Sequence, residues 1–292
     1  MSAHSQPRGA VRRLWLPILA ILAFAGLVVA SVLGFESPSD ARAQAGDPNL
    51  SDGIRVDIQV VNVVPDQDHA NIRMSFEPVG NYSAGRHTLT KPVRVTVHGG
   101  AETFDEKFQA GEHIPPENIT VALEGDIGQY PLDSYDGTFE VSVRDAEGAE
   151  IPSVLLADAS VHGYSVRVSD PFSEVDAGNG VTLIVQRSKA NLGFSFFIMG
   201  LMWALTVLAI VMAAGEIRSD RPVDTPVISF LGVLLFAFPS IRNSMPNAPS
   251  VGVLSDFICY LWCEIALGLT LVVLLATAVR RRLAADATEP AE

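Results

Sequence analysis

Two hydrophobic periods divide the chain. In the first, apolar residues recur at every second position. Ile54, Val56, Ile58 and Val60 alternate with Arg55, Asp57 and Gln59, and Ile72, Met74 and Phe76 alternate with Arg73 and Ser75. The same pattern runs through Val93–Val97, Ile119–Leu123, Phe139–Val143, Tyr164–Val168 and Val181–Val185. Successive side chains of a strand point to opposite faces, so each run predicts a strand with one buried face. Seven such runs, parted by Gly, Pro and Asp, predict a two-layer antiparallel β-sandwich over residues 54–190. Residues 36–53 show no period and read as a linker.

The second pattern is continuous rather than alternating. Leu14–Phe35, Leu192–Gly215 and Pro226–Ile241 carry no charge, and Phe257–Val279 is broken only by Glu264. A helix needs about 20 apolar residues to cross a bilayer. The pattern therefore predicts transmembrane helices at 14–35, 192–215, 225–242 and 257–279, one before the sandwich and three after it. Arginine sets the orientation. Arg8, Arg12 and Arg13 precede the first run, Arg218 and Arg221 separate the second from the third, and Arg280, Arg281 and Arg282 follow the fourth. These clusters place 1–13, 216–224 and 280–292 in the cytoplasm, and the sandwich and loop 243–256 outside. The expected location is the plasma membrane. Ala41-Arg42-Ala43 and Ala43-Gln44-Ala45 resemble signal-cleavage sites, but the first run exceeds the roughly 7–15 residues of a signal core, so it reads as an uncleaved anchor.

Charge sharpens this division. The 292 residues carry a net charge of −13, yet 48% are hydrophobic and mean hydropathy is +0.29. Residues 36–190 hold 25 acidic and 11 basic side chains, a net −14, and the rest of the chain is at +1. This excludes a single soluble globule, a nucleic-acid binder and a disordered acidic protein. An acidic domain is repelled by anionic headgroups over about 8–10 Å. The sandwich is expected to stand off the bilayer, or to dock through a local patch such as Arg187 and Lys189. The implied partners are the lipid bilayer and either a membrane protein or a second copy.

Candidate chemistry is sparse. No Walker loop, Gly-x-Ser-x-Gly, His-Glu-x-x-His or Rossmann fingerprint occurs, so no enzyme, cofactor or catalytic residue is expected. Glu264 is the sharpest residue, a carboxylate about 12 Å inside the fourth run. It should face the bundle interior, paired or protonated, as a proton or ion site or as a structural hydrogen bond. The loop Phe238–Asp256 contains Pro239, Pro246 and Pro249 and is shaped as a docking surface or a plain turn. Its Arg242 can snorkel to headgroups or pair with Asp256 or Glu264. Gln129–Gly137 includes Tyr130, Pro131, Asp133 and Tyr135, which suit a sandwich corner or a contact with the helices. Asp66-Gln67-Asp68-His69 reads as a divalent-ion clamp or an acidic turn. Cys259 and Cys263 share one helix face as small buried residues, and metal binding there would need partners from other helices.

The anchor, Tyr130-Pro131-Leu132-Asp133-Ser134-Tyr135, and the loop Arg242–Gly252 together resemble the actinobacterial and fungal membrane proteins grouped as domain-of-unknown-function family 4436. The resemblance spans roughly residues 14–280. It implies this topology and no established activity. Aromatic-Pro-x-Asp also resembles a signature of pentameric ligand-gated channels, but Leu132 replaces an aromatic residue, and no cysteine loop or polar pore-lining helix is present. The expectation is a non-enzymatic binding or accessory protein that presents an acidic sandwich outside the membrane. The alternative is a transport or channel component built on Glu264. A membrane enzyme would need two converging carboxylates.

Overall fold

The computed structural model describes residues 41–47, 49–85, 87–100, 103–159, 161–169, 179–219 and 221–286. All of them lie in one unit, Ser39–Glu292. The helix expected at 14–35 and Arg8, Arg12 and Arg13 lie outside the described residues.

Among the described residues, eleven strands form two sheets. They are β1 (Ala41–Ala45), β2 (Gly53–Val64), β3 (His69–Val79), β4 (Val93–His98), β5 (Phe104–Phe108), β6 (Glu117–Ala122), β7 (Glu124–Gly125), β8 (Ser134–Arg144), β9 (Ser153–Ala159), β10 (Tyr164–Ser169) and β11 (Asn179–Arg187). One sheet runs β1-β9-β2-β3-β6, the other β10-β11-β8-β4-β5, with β7 beside β8. All seven alternating runs are strands. Their inward residues, among them Ile58, Ile72, Val95, Phe139 and Leu183, make a single buried core between the sheets. The β2–β3 pairing slips between Val60 and Asn62, which leaves Val61 bulged outward and 54% exposed.

Two expectations are corrected. The sandwich is not wholly antiparallel, because β2 and β9 pair in parallel. A parallel neighbour needs a crossover, and here the chain between β2 and β9 runs through the second sheet (β4, β5 and β8) before returning. The expected linker also contains a strand. β1 pairs antiparallel with β9 and closes that edge of the first sheet.

Among the described residues, three helices follow β11. These are α1 (Lys189–Arg218), α2 (Thr225–Asn243) and α3, which opens with a π-helical turn at Asp256–Tyr260 and continues through Leu261–Asp286. All three are long and apolar enough to cross a membrane. A second core joins them, built from Met202, Ala209, Leu231, Phe238, Leu267 and Leu274 among others. Arg281 of α3 closes the far end of the bundle. Its guanidinium donates to the carbonyls of Glu216 and Ile217 at 3.2 and 2.9 Å and of Arg221 at 2.7 Å. The first two are carbonyls of the last turn of α1 that have no partner within the helix.

Candidate functional site

Tyr130, Asp133, Tyr135, Arg187, Arg242 and Asp256, all singled out in the sequence, converge where the sandwich meets the helices. The approach to β8 begins at Asp126, whose carboxylate accepts from Gly128 N at 2.8 Å and caps the turn Ile127–Gln129. The chain then passes through a cis peptide, Tyr130–Pro131. Tyr130 comes from the sandwich, yet it is 1% exposed and packs in the helical core. Its hydroxyl donates to Pro246 O at 3.0 Å and lies 3.0 Å from Ser195 Oγ of α1. Its carbonyl accepts from Ser255 N at 3.1 Å. One side chain and its backbone therefore touch α1, the α2–α3 loop and the start of α3.

Asp133 and Arg187 form the centre of this junction. Arg187 is the last residue of β11, one residue before the α1 cap Ser188, whose hydroxyl accepts from Asn191 N. Its Nε lies 3.1 and 3.0 Å from the two Asp133 oxygens, and its Nη2 lies 2.9 Å from Oδ2. The side chains of Arg187 and Asp133 are only 3% and 0% exposed. The remaining Nη1 donates to Asn247 O at 3.1 Å. The guanidinium also stacks on Tyr130 and Tyr164, 4.8 and 5.1 Å from the ring centres. Arg187 thus faces protein, which corrects its expected role as a lipid-facing patch. Tyr135 completes the set by donating to Asp133 Oδ2 at 2.8 Å. Gly163 brings the β9–β10 turn to α1, where its carbonyl accepts from Asn191 Nδ2 at 3.0 Å. A Cβ on Gly163 would lie 2.7 Å from that nitrogen, and its φ of +84° favours glycine independently.

A second buried ion pair organises the α2–α3 loop. Arg242 Nε and Nη2 each lie 2.8 Å from an oxygen of Asp256, a two-point contact with both side chains nearly inaccessible. Nη1 donates to Pro249 O at 2.7 Å and Nη2 to Ser250 O at 3.3 Å. Asp256 Oδ2 also accepts from Gly252 N and Val253 N at 2.8 and 3.2 Å. The loop is wound around this pair. Its residues Pro246 and Asn247 hold Tyr130 and Arg187 on the other side. Arg242 and Asp256 are therefore partners, as are Tyr130 and Pro246.

Glu264 stands apart from both pairs. It is half-buried on α3, and its Oε1 is buried without a hydrogen-bond partner. Arg242 pairs with Asp256 and not with Glu264. Asp66-Gln67-Asp68-His69 forms the turn between β2 and β3, with His69 Nδ1 3.1 Å from Gln67 O. Ser195, Asn191 and Gly163 belong to the junction but were not singled out in the sequence. Their only local signals are a hydroxyl inside an apolar run and a Ser-x-x-Asn helix start.

Burial and the Asp133 carboxylate both hold the Tyr135 phenol far above its ordinary value near 10, and burial raises Tyr130 and Tyr164 as well. The folded protein therefore keeps phenolic protons that the unfolded chain releases near pH 10. Stability is full below about pH 10 and falls as pH rises further. Tyr135→Phe is expected to flatten that alkaline loss in denaturant titrations between about pH 9 and 11. An unchanged slope would contradict the assignment.

The geometry defines a class: a two-sheet β domain joined to three apolar helices through buried contacts of Tyr130 and Arg187. Residues 44–184 match the family model of a domain of unknown function, DUF4436, so the sandwich is similar to that family. Residues 187–281 match a second domain of unknown function, DUF8686. The resemblance expected over roughly residues 14–280 is thus matched over residues 44–184, and the boundary between the two matches falls beside Arg187. No curated protein matches the chain.

Proposed function

We propose that this is a multi-pass membrane protein of the cell envelope that presents its acidic sandwich outside and acts as a non-enzymatic binding or accessory protein. Both termini lie in the cytoplasm. The observation that carries the reading is the junction itself. Its charged groups, Arg187, Asp133, Arg242 and Asp256, are buried, paired and bonded to backbone carbonyls or amides, an arrangement suited to holding a domain in place rather than to turning over a substrate. Membrane insertion is supported by the outer faces of the helices, where Phe236 is 82% exposed and Leu269 63%. Lipid covers such faces at no cost in polar contacts.

A second reading rests on Glu264, whose buried oxygen has no partner within a helix long enough to span the membrane. Purified protein in liposomes separates the two. The accessory reading expects no ion or proton flux above empty vesicles, together with a crosslinked partner recovered from native membranes. Flux that Glu264→Gln abolishes would overturn it in favour of transport.

A further inference from the structure

The helical core concentrates sulfur. The chain has two cysteines and six methionines, and five of these eight residues, Cys259, Cys263, Met199, Met202 and Met245, lie buried in this one core. Cys259 sits in the π-helical turn that opens α3, and Cys263 follows four residues later. Turns of this kind are frequent at functional sites. The two Sγ atoms are 3.9 Å apart. The Cys259 thiol donates to Met199 O at 3.3 Å, which sets α1 directly against the pair. Cys259, Cys263 and Met202 are at most 1% exposed, and Met199 7%. α1 thus sets the Met199 carbonyl against Cys259, and its Met199 and Met202 side chains are buried in the same core.

We propose that Cys259 and Cys263 bind a single soft monovalent metal ion of the Cu(I) class, with the thioethers of Met199 and Met202 completing the site. Two sulfurs at this spacing reach one ion at about 2.3 Å each with an S–metal–S angle near ~116°. Thiolate and thioether donors select soft ions. Among the described residues no group of three His, Cys, Asp or Glu could hold a metal, so the four-ligand set that Zn(II) prefers is not assembled from those types. Binding breaks two S–H bonds and forms two S–Cu bonds. Two protons leave to solvent, and no electron changes hands if copper arrives as Cu(I). The charged groups nearest along α3 are Asp256, neutralised by Arg242 on the outer side, and Glu264 one residue beyond Cys263.

The test uses the full chain, purified in detergent under anaerobic reducing conditions and titrated with Cu(I) against a colorimetric chelator. One Cu(I) per chain is expected, with two protons released and a sulfur-only shell in X-ray absorption. The double variant Cys259→Ala/Cys263→Ala should lose the ion, and Met202→Leu should weaken retention by about tenfold or more. Failure of the wild type to retain copper, equal retention by the folded double variant, or a nitrogen or oxygen shell would overturn the site. Tighter retention of Zn(II) in a parallel titration would overturn the choice of metal. If the double variant does not fold, the absorption spectrum of the wild type decides alone.

Discussion

Asp133→Ala is expected to destabilise the protein by about 3–5 kcal/mol, because it strands the Arg187 charge in a site its side chain reaches with only 3% exposure. The measurement is the thermal unfolding midpoint of the purified chain in detergent, with protease cleavage near the β11–α1 join as a second readout. Both should move, since Arg187 is where the last strand becomes the first helix. A control separates charge from shape. Asp133→Leu with Arg187→Met removes both charges and keeps the volume, and apolar replacements of buried pairs are often close to neutral. Recovery should still be incomplete by about 1–3 kcal/mol, because Asn247 O loses its donor and the Tyr135 hydroxyl its acceptor. If Asp133→Ala unfolds at the wild-type temperature and is no more sensitive to protease, the pair does not hold the junction.

The same residues show how far sequence reaches. Alternation located seven strands because each buries one face, as in β8, where Tyr135, Phe139, Val141 and Val143 all point inward. It missed β9, whose adjacent Val154 and Leu155 are both buried and break the period. It missed β5, an edge strand with Asp105, Glu106 and Lys107 in its middle, the kind of charge that protects edges. β1 escaped because three of its five residues are alanine, a weak strand former. The corner Tyr130-Pro131-x-Asp133 was visible as a local oddity. Its partner Arg187 is 54 residues away, and no local period encodes a long-range ion pair. The charge count even argued the wrong way. It treated Arg187 as a free cation in an acidic domain, when burial against Asp133 removes it from the surface.

Arg242→Leu should have the other large effect, again about 3–5 kcal/mol, for a related but distinct reason. The substitution leaves Asp256 at 0% exposure with only the Gly252 and Val253 amides as donors, and it removes the donors to Pro249 O and Ser250 O. Arg242→Lys should recover only part of this, since an ammonium cannot reproduce the two-point contact with both carboxylate oxygens. The loop that collapses also carries Pro246 and Asn247, the acceptors for Tyr130 and Arg187. Loss of the first pair should therefore weaken the second, although no side chain joins them directly. A double-mutant cycle of Arg242→Leu with Asp133→Ala reads this as an interaction energy of about 0.5–3 kcal/mol, because groups sharing one backbone segment are not independent. Coupling through the shared loop requires the double variant to cost less than the two singles together, since once the loop is unwound Arg187 has already lost Asn247 O. Additivity within about 0.5 kcal/mol would mean that the two ion pairs fix the sandwich and the loop separately.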